Sequence, residues 1–224
     1  MQDFDIIRQS AAPTSFAAAK VRGMFDLQDE HATEHFVGSL ELPDKWHIGV
    51  IVGASGTGKT TIARELFGDD YFYEPQFSGA CVLDDMPTSD VDIIVKTFNS
   101  VGFSSPPSWL KPYEVLSNGE KMRVQLAYAI LSDKQQIVFD EYTSVVDRTV
   151  AQIGSAAIAK AIRKTDKRFI AVTCHYDVLD WIVPDWVFDT NTMTAQKKTS
   201  HDRKSNSTYA KSKAIGDCFA SITI

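Results

Sequence analysis

Gly53-Ala54-Ser55-Gly56-Thr57-Gly58-Lys59-Thr60 has the residue types and spacing to hold a chain of phosphates. It fits the pattern Gly, four residues, Gly-Lys-Thr. Phosphate oxygens must be met by donors, and glycines let backbone N–H groups turn inward and come close. Lys59 supplies a mobile positive charge, and the Thr60 hydroxyl can ligate Mg²⁺. Gly53, Ser55, Gly56, Thr57, Gly58, Lys59, Thr60 and Thr61 are therefore the expected nucleotide contacts. The flanks agree. Trp46 to Val52 reads as a buried strand feeding the loop, and Thr60 to Phe67 as the helix that follows, stopped by Gly68. The helix N-terminus adds its dipole to the anion site. A chance glycine-rich turn explains this poorly, because the glycines, the lysine, the threonine and the strand–loop–helix context all coincide.

A second reactive group closes another apolar strand. Gln136 to Asp140 ends in the pair Asp140-Glu141. Asp140 fits the Mg²⁺-holding carboxylate of phosphate-loop enzymes, and Glu141, one residue on, is placed to orient or deprotonate an attacking water. Solvated carboxylates at strand ends are common, but the phosphate loop upstream favours the functional reading. His175 follows a further buried strand, Phe169 to Thr173.

The elements that must position these groups alternate in type. Phe36, Gly38, Leu40 and Leu42 alternate with polar neighbours as in a half-buried strand, and with the phosphate-loop strand they suggest a hairpin over 35–52. Residues 17–25 fit either a strand or a short helix, and 26–34 look like a loop. Gly79 to Leu83 reads as another buried strand ending at Asp84-Asp85. A helix is expected to begin near Ser89-Asp90, which can cap it, with Val91, Ile94, Val95 and Phe98 on one face, stopping at Gly102. Ser117 and Glu120 have the spacing of a capping box for the next helix. Asp147 to Ile162 is helical, with Val150, Ile153, Ala157 and Ile158 on one side. A short helix over 176–182 and a strand near Trp186 to Phe188 complete the pattern. Strands alternating with helices imply an α/β fold with a mostly parallel sheet, whose ligands bind at the carboxyl ends of the strands.

Leu116-Ser117-Asn118-Gly119-Glu120-Lys121 resembles the signature motif of ATP-binding cassette (ABC) ATPases, usually Leu-Ser-Gly-Gly-Gln or Glu, with Asn118 in place of one glycine. Arg123 and Leu126-Ala127 match the helix that follows the signature. Ser144-Val145-Val146-Asp147 resembles the family's D-loop, and His175 its switch histidine. The order of motifs agrees, and the likeness covers residues 15–190.

The resemblance implies a P-loop NTPase fold with antiparallel N-terminal strands, a short helical subdomain over about 86–131, and ATP and Mg²⁺ as cofactors. It also implies two cassettes, of this chain or another, stacked head to tail. ATP would lie between the phosphate loop of one and Ser117 and Gly119 of the other. Glu141 would polarise water, His175 would hold the γ-phosphate and Asp147 would connect the two sites. Three departures stand out. Asp84-Asp85 occupies the region where the family places a Gln, so Asp85 becomes a third expected metal ligand beside Thr60 and Asp140, and Gln76 precedes the expected strand. The stretch from Asp85 to Leu116 is short for a transporter's helical subdomain. The aromatic residue that stacks on adenine has only Phe25 and Phe36 as candidates.

These departures, with the wording of 141–148 and 174–177, resemble soluble cassettes of phage and mobile-element proteins, which often carry an acetyltransferase-like domain after the ATPase. Little chain remains here for one. Two alternatives are the nucleotide-binding subunit of a transporter, with a coupling surface near Asp84 to Phe98, and a nucleotide-gated DNA-binding ATPase.

Composition narrows the setting. The net charge is −6, but the segment from Asn191 carries six Lys or Arg against two Asp, which leaves −10 on the body. An acidic body argues against a broad nonspecific nucleic-acid surface. The basic residues Lys197, Lys198, Arg203, Lys204, Lys211 and Lys213 fit a flexible polar tail over 191–224. Cys81, Cys174 and Cys218 show no paired or metal-type spacing. With no signal-like start and no apolar run of membrane-spanning length, a cytoplasmic chain working with an unidentified effector protein is expected.

Overall fold

A computed structural model describes residues 2–9, 14–26 and 33–197. The expected loop at 27–32, Cys218 and the basic residues beyond Lys197 lie outside this set.

β1 (Gln2–Gln9) and β2 (Thr33–Leu40) form an antiparallel ribbon, with Phe4 opposite Gly38. Between them α1 (Phe16–Phe25) is capped by the Ser15 side chain and buries none of its residues. β3 (Ile48–Val52) begins the main sheet, and α2 (Lys59–Phe67) follows the phosphate loop. Three helices come next, α3 (Val91–Ser100), α4 (Pro106–Trp109) and α5 (Asn118–Leu131). Then come β4 (Gln136–Phe139), α6 (Arg148–Ile162), β5 (Arg168–Thr173), α7 (Val178–Ile182), β6 (Trp186–Asp189) and β7 (Thr194–Lys197).

The main sheet runs β4-β5-β3-β6-β7. The first four strands are parallel and β7 is antiparallel to β6. Both faces of the parallel part are covered, as parallel sheets require. Ile48, Val50, Val52, Phe139 and Phe169 face a core shared with α3, α5, α6 and α7. Ile51, Val138, Ile170, Val172 and Phe188 face the other core, built with the β1–β2 ribbon and α2. All five residues of β3 are buried.

That burial explains why 35–52 is not a hairpin. A strand buried on both faces needs a partner on each edge, and β3 takes β5 and β6, whereas β2 pairs with β1. The strand expected at 79–83 is also absent. Val82 is buried, but the Asp85 carboxylate accepts from the Ser78 and Gly79 amides at 2.9 and 2.8 Å, and this pulls the stretch into turns. The short extended piece lies earlier. Phe72 bridges Val138 in parallel, and the Tyr73 amide donates to the Val138 carbonyl at 2.8 Å, beside β4. In α6 the buried stripe is Ala151, Gly154, Ser155, Ile158, Ala159 and Ile162, while Ile153, expected on it, is 47% exposed. Gly154 lies within 3.0 Å of Leu126 in Cβ terms, so small residues set the close α5–α6 approach. The polar segment after Thr190 opens with β7, so its first residues belong to the sheet.

Gly49 is required by packing. A Cβ there would meet the Trp186 indole at 1.9 Å, and that ring is clamped by Trp46, edge-on at 5.4 Å, and by Phe67, stacked at 5.9 Å. Gly49→Ala is expected to destabilise the fold by about 1–3 kcal/mol or more, the ordinary range for overpacking. Chemical denaturation should show a lower midpoint, and an unchanged midpoint would refute this packing argument.

Candidate active site

The carboxyl ends of four adjacent parallel strands present four loops in a row. In spatial order they follow β4, β5, β3 and β6. They carry Asp140 and Glu141, then His175, then the phosphate loop, then Thr190 and Asn191. Of the sequence-predicted residues, Asp140, Glu141, His175 and the phosphate loop therefore line one edge, with His175 between the acidic pair and the phosphate loop, whereas Ser117, Gly119, Asp147 and Asp85 lie on other elements.

The phosphate loop leaves β3 at Gly53 and enters α2 through Gly58, the N-cap, at φ 79°. Gly56 is also left-handed, at φ 82°. A Cβ at Gly58 would strike the Phe36 ring at 2.6 Å, so glycine is needed for both backbone and space. No side chain caps α2, so its first N–H groups remain for an anion. Lys59 folds back over the loop, its Nζ donating to the Ala54 carbonyl at 2.7 Å. Thr57 Oγ1 donates to the same carbonyl at 2.8 Å. From the ribbon, Arg8 reaches across and donates to Thr61 Oγ1 at 3.0 Å. Phe36 is buried in the core beneath Gly58, which removes it as an adenine-stacking residue, and Phe25 lies exposed on α1.

The acidic pair sits on a bent backbone. Glu141 and Thr143 both adopt positive φ, 51° and 67°, which is unfavourable for side chains, above all a β-branched one. Tyr142, fully buried between them, pins this bend. Its ring meets Phe139 and Phe169 at 5.4 and 5.6 Å, and its hydroxyl pairs with Ser155 at 3.0 Å. Burial drives the Tyr142 phenol well above its ordinary pKa, so it stays a neutral anchor. The outcome is that Glu141 is turned outward while Asp140 stays at the strand end, accepting from the Glu141 amide at 2.9 Å. Ser144 Oγ donates to Glu141 Oε2 at 2.6 Å and fixes the carboxylate.

Asp147 caps α6 by accepting from the Thr149 amide at 2.8 Å, and that backbone donor lowers its pKa. Arg148, next in the chain, donates from Nε to Asp177 at 2.9 Å, pairs with the same carboxylate through Nη2, and lies 4.9 Å over the Trp181 ring. It thus joins the start of α6 to the turn after His175.

Ser117 and Glu120 form the expected capping box of α5. The Ser117 amide and hydroxyl donate to Glu120 Oε2 at 2.9 and 2.8 Å, and Ser117 Oγ accepts from the Glu120 amide at 3.3 Å. Hydrogen bonds from Ser108 and then from Ser117 hold the Glu120 carboxyl below its usual range. Gly119 lies 3.4 Å from Val150 in Cβ terms. α5 packs on α3 and α6, whereas α2 packs on β1, β3 and β5. The Ser117 cap and the phosphate loop are thus held by different elements.

Thr60 and Asp140 offer one hydroxyl and one carboxylate for a metal. Among the described residues no three His, Cys, Asp or Glu side chains cluster to hold a metal by themselves. This donor set suits Mg²⁺, which keeps waters and shares its shell with phosphates. Asp85 spends Oδ1 on its turn, and its Oδ2 is buried without a hydrogen-bond partner. Gln76, three residues after Tyr73, follows the extended piece beside β4 and is exposed.

Among solved structures, the chain is similar to the dimeric post-hydrolysis state of the ATP-binding cassette MJ0796 bound to ADP and Pi. That match has TM-score 0.57 and 14% identity and covers 76% of this chain and 94% of that one. It is also similar to the dimeric bacterial ABC transporter cassette MJ0796, with TM-score 0.53, 16% identity and coverage of 70% and 87%. The fold is that of a P-loop NTPase of the ABC cassette type, with a mostly parallel sheet and an antiparallel N-terminal pair. By sequence the chain is 28% identical over 154 residues to "Probable metal transport system ATP-binding protein" of Thermotoga maritima, across 57% of this chain and 62% of the relative. It is 25% identical over 197 residues to Protein STAR1 of Oryza sativa subsp. japonica, across 70% of this chain and 55% of the relative. The chain thus matches less than two thirds of the length of either curated relative. No family model matches. Among the described residues no helix is long and apolar enough to cross a membrane.

Proposed function

We propose that the chain is an ATP-hydrolysing cassette that closes head to tail around ATP and drives a conformational change in a partner. The observation that carries this reading is the row of loops at one sheet edge, with Glu141, His175 and Lys59 in sequence along it and Ser117 on a helix packed elsewhere. In this reading backbone amides of 55–61 and Lys59 hold the phosphates, Thr60 and Asp140 hold Mg²⁺, and Glu141 takes the proton of the attacking water. His175 contacts the γ-phosphate. Ser117 and Gly119 of the second copy complete the site, and Asp147 lies at the contact between copies. Bound Mg²⁺ neutralises charge developing on the phosphates. Nucleotide state then sets the population of the closed dimer. Arg8, beside Thr61, adds a cation at the margin of the same site.

The test is the solution mass of Glu141→Gln by light scattering. Dimer formation only with ATP and Mg²⁺ is expected, and a persistent monomer that binds ATP rules out the homodimer.

A second reading, the nucleotide-binding subunit of a transporter, is favoured by two observations. The Thermotoga maritima relative is named as part of a metal transport system. A cavity of about 660 Å³ lined by Leu83, Asp84, Met86, Thr88, Val91 and Ile94 opens where a coupling surface was expected. The place of Gln76, exposed after the extended piece beside β4, weakens the missing Gln as a ground for a non-transport cassette. Co-purification with a membrane protein supports this reading. The phage-type soluble cassette now rests on the short 85–116 stretch and the motif wording, and a DNA-bound role on the basic tail.

A further inference from the structure

The turn that carries His175 is tied to its neighbours by its own side chains. Thr173 Oγ1 donates to the Tyr142 carbonyl at 2.8 Å and accepts from the His175 amide at 3.1 Å, which binds the turn to the acidic loop. Asp177 binds it to Arg148. A third tie runs the other way, to the phosphate loop, through residues that no motif marks. Tyr176 Oη donates to Asp189 Oδ2 at 2.8 Å and accepts from Asn191 Nδ2 at 2.8 Å. Asn191 Oδ1 accepts from the Ala54 amide at 3.1 Å, and the Asn191 amide donates to Asp189 Oδ1 at 2.9 Å.

Every bond in this chain has one permitted direction. Ala54 N–H can only donate, which fixes the Asn191 oxygen toward the phosphate loop and its NH₂ toward Tyr176. An ionised carboxylate can only accept, which turns the Tyr176 proton toward Asp189. Burial and then the hydrogen bond to Asp189 hold the phenol above its ordinary pKa, so the proton stays. The neighbouring residue strengthens the tie. Thr190 Oγ1 lies 2.5 Å from Thr57 Oγ1, its amide donates to the Val52 carbonyl at 2.8 Å, and a Cβ on Gly53 would meet Thr190 Oγ1 at 2.1 Å. The β6–β7 turn is thus pressed onto the phosphate loop.

We propose that Asn191 and Tyr176 form a positioning link that sets the spacing between the phosphate loop and the His175 turn. The link rests on the ATP-hydrolysing reading and deepens it. Neither side chain needs to touch the reacting atoms. Their function is to keep the imidazole at a fixed offset from the loop that holds the phosphates. Small misplacements of this kind act on the chemical step more than on binding.

Steady-state ATP turnover of the full chain tests this with Asn191→Asp, Tyr176→Phe and the double variant. Asn191→Asp still accepts from Ala54 but cannot donate to Tyr176. Tyr176→Phe removes both hydroxyl bonds, and because Tyr176 is 44% exposed the fold tolerates the loss. Each single variant is expected to lower kcat about tenfold with KM within about twofold. The double variant should be no slower than the slower single, because both break one link. Unchanged kcat in the singles, multiplicative losses in the double, or a change confined to KM would each overturn the proposal. A wild-type protein without turnover instead refutes the ATPase reading itself, so the two failures are told apart.

Discussion

Glu141→Gln is expected to lower ATP turnover by about 10²–10⁴-fold, the usual contribution of a positioned general base, while nucleotide binding persists. The geometry makes this variant informative. The bend at Glu141 and Thr143 is imposed by the buried Tyr142, not by the Glu141 carboxylate, so it survives the change. Ser144 Oγ, which donates to Glu141 Oε2 at 2.6 Å, can donate to the amide oxygen of Gln in the same way. Shape and the local hydrogen bond stay, and the capacity to accept a proton at neutral pH goes. Phosphate release at saturating ATP measures the rate, and titration with a fluorescent ATP analogue measures binding. A rate within about threefold of wild type would remove Glu141 from the chemical step.

Lys59→Ala is expected to weaken ATP binding by about 100-fold or more, the scale of losing charge-assisted hydrogen bonds worth a few kcal/mol. The Lys59 ammonium donates to the Ala54 carbonyl at 2.7 Å, inside the curl of the phosphate loop. Removing it leaves the loop donors in place but takes away the single mobile cation of the motif. The two variants separate the steps, since one should bind without turning over and the other should do neither. Calorimetric titration with Mg²⁺-ATP checks the second. Wild-type affinity in Lys59→Ala would mean that phosphates do not sit in this loop.

The readable parts of the sequence were those with local physical causes. The phosphate loop and α2 follow from glycine spacing and an apolar face, and Gly68 ends the helix at φ 81° as expected. The Ser117–Glu120 box starts α5, and Asp90 caps α3 through its own side chain. Failures came where partners are remote. β1 and β2 are stabilised by each other across an intervening helix, which no short window contains. Gly79 to Leu83 has an apolar look, but the Asp85 carboxylate takes the Ser78 and Gly79 amides and makes a turn. β7 is fully exposed and carries no hydrophobic pattern, so only its pairing with β6 reveals it. Asn191 reads as part of the polar tail for the same reason, although its side chain meets the phosphate loop. Positive φ at Glu141 and Thr143 has no sequence signal, because neither residue type favours it.

The strand order bears on how the chain folds. β3, which delivers the phosphate loop, has β5 and β6 as its two edges, and helices α3, α4 and α5 separate it from both in sequence. Its pairings are non-local, and closing such long loops makes sheet formation slow. During synthesis the apolar Ile48 to Val52 segment is complete well before Phe169 to Thr173 or Trp186 to Asp189 has been made. For that interval it is an unpaired, fully apolar strand of the kind that aggregates or engages chaperones. The nucleotide loop is thus among the first parts made and among the last to acquire its shape, because its far wall, Thr190 and Asn191, arrives only after the final parallel strand.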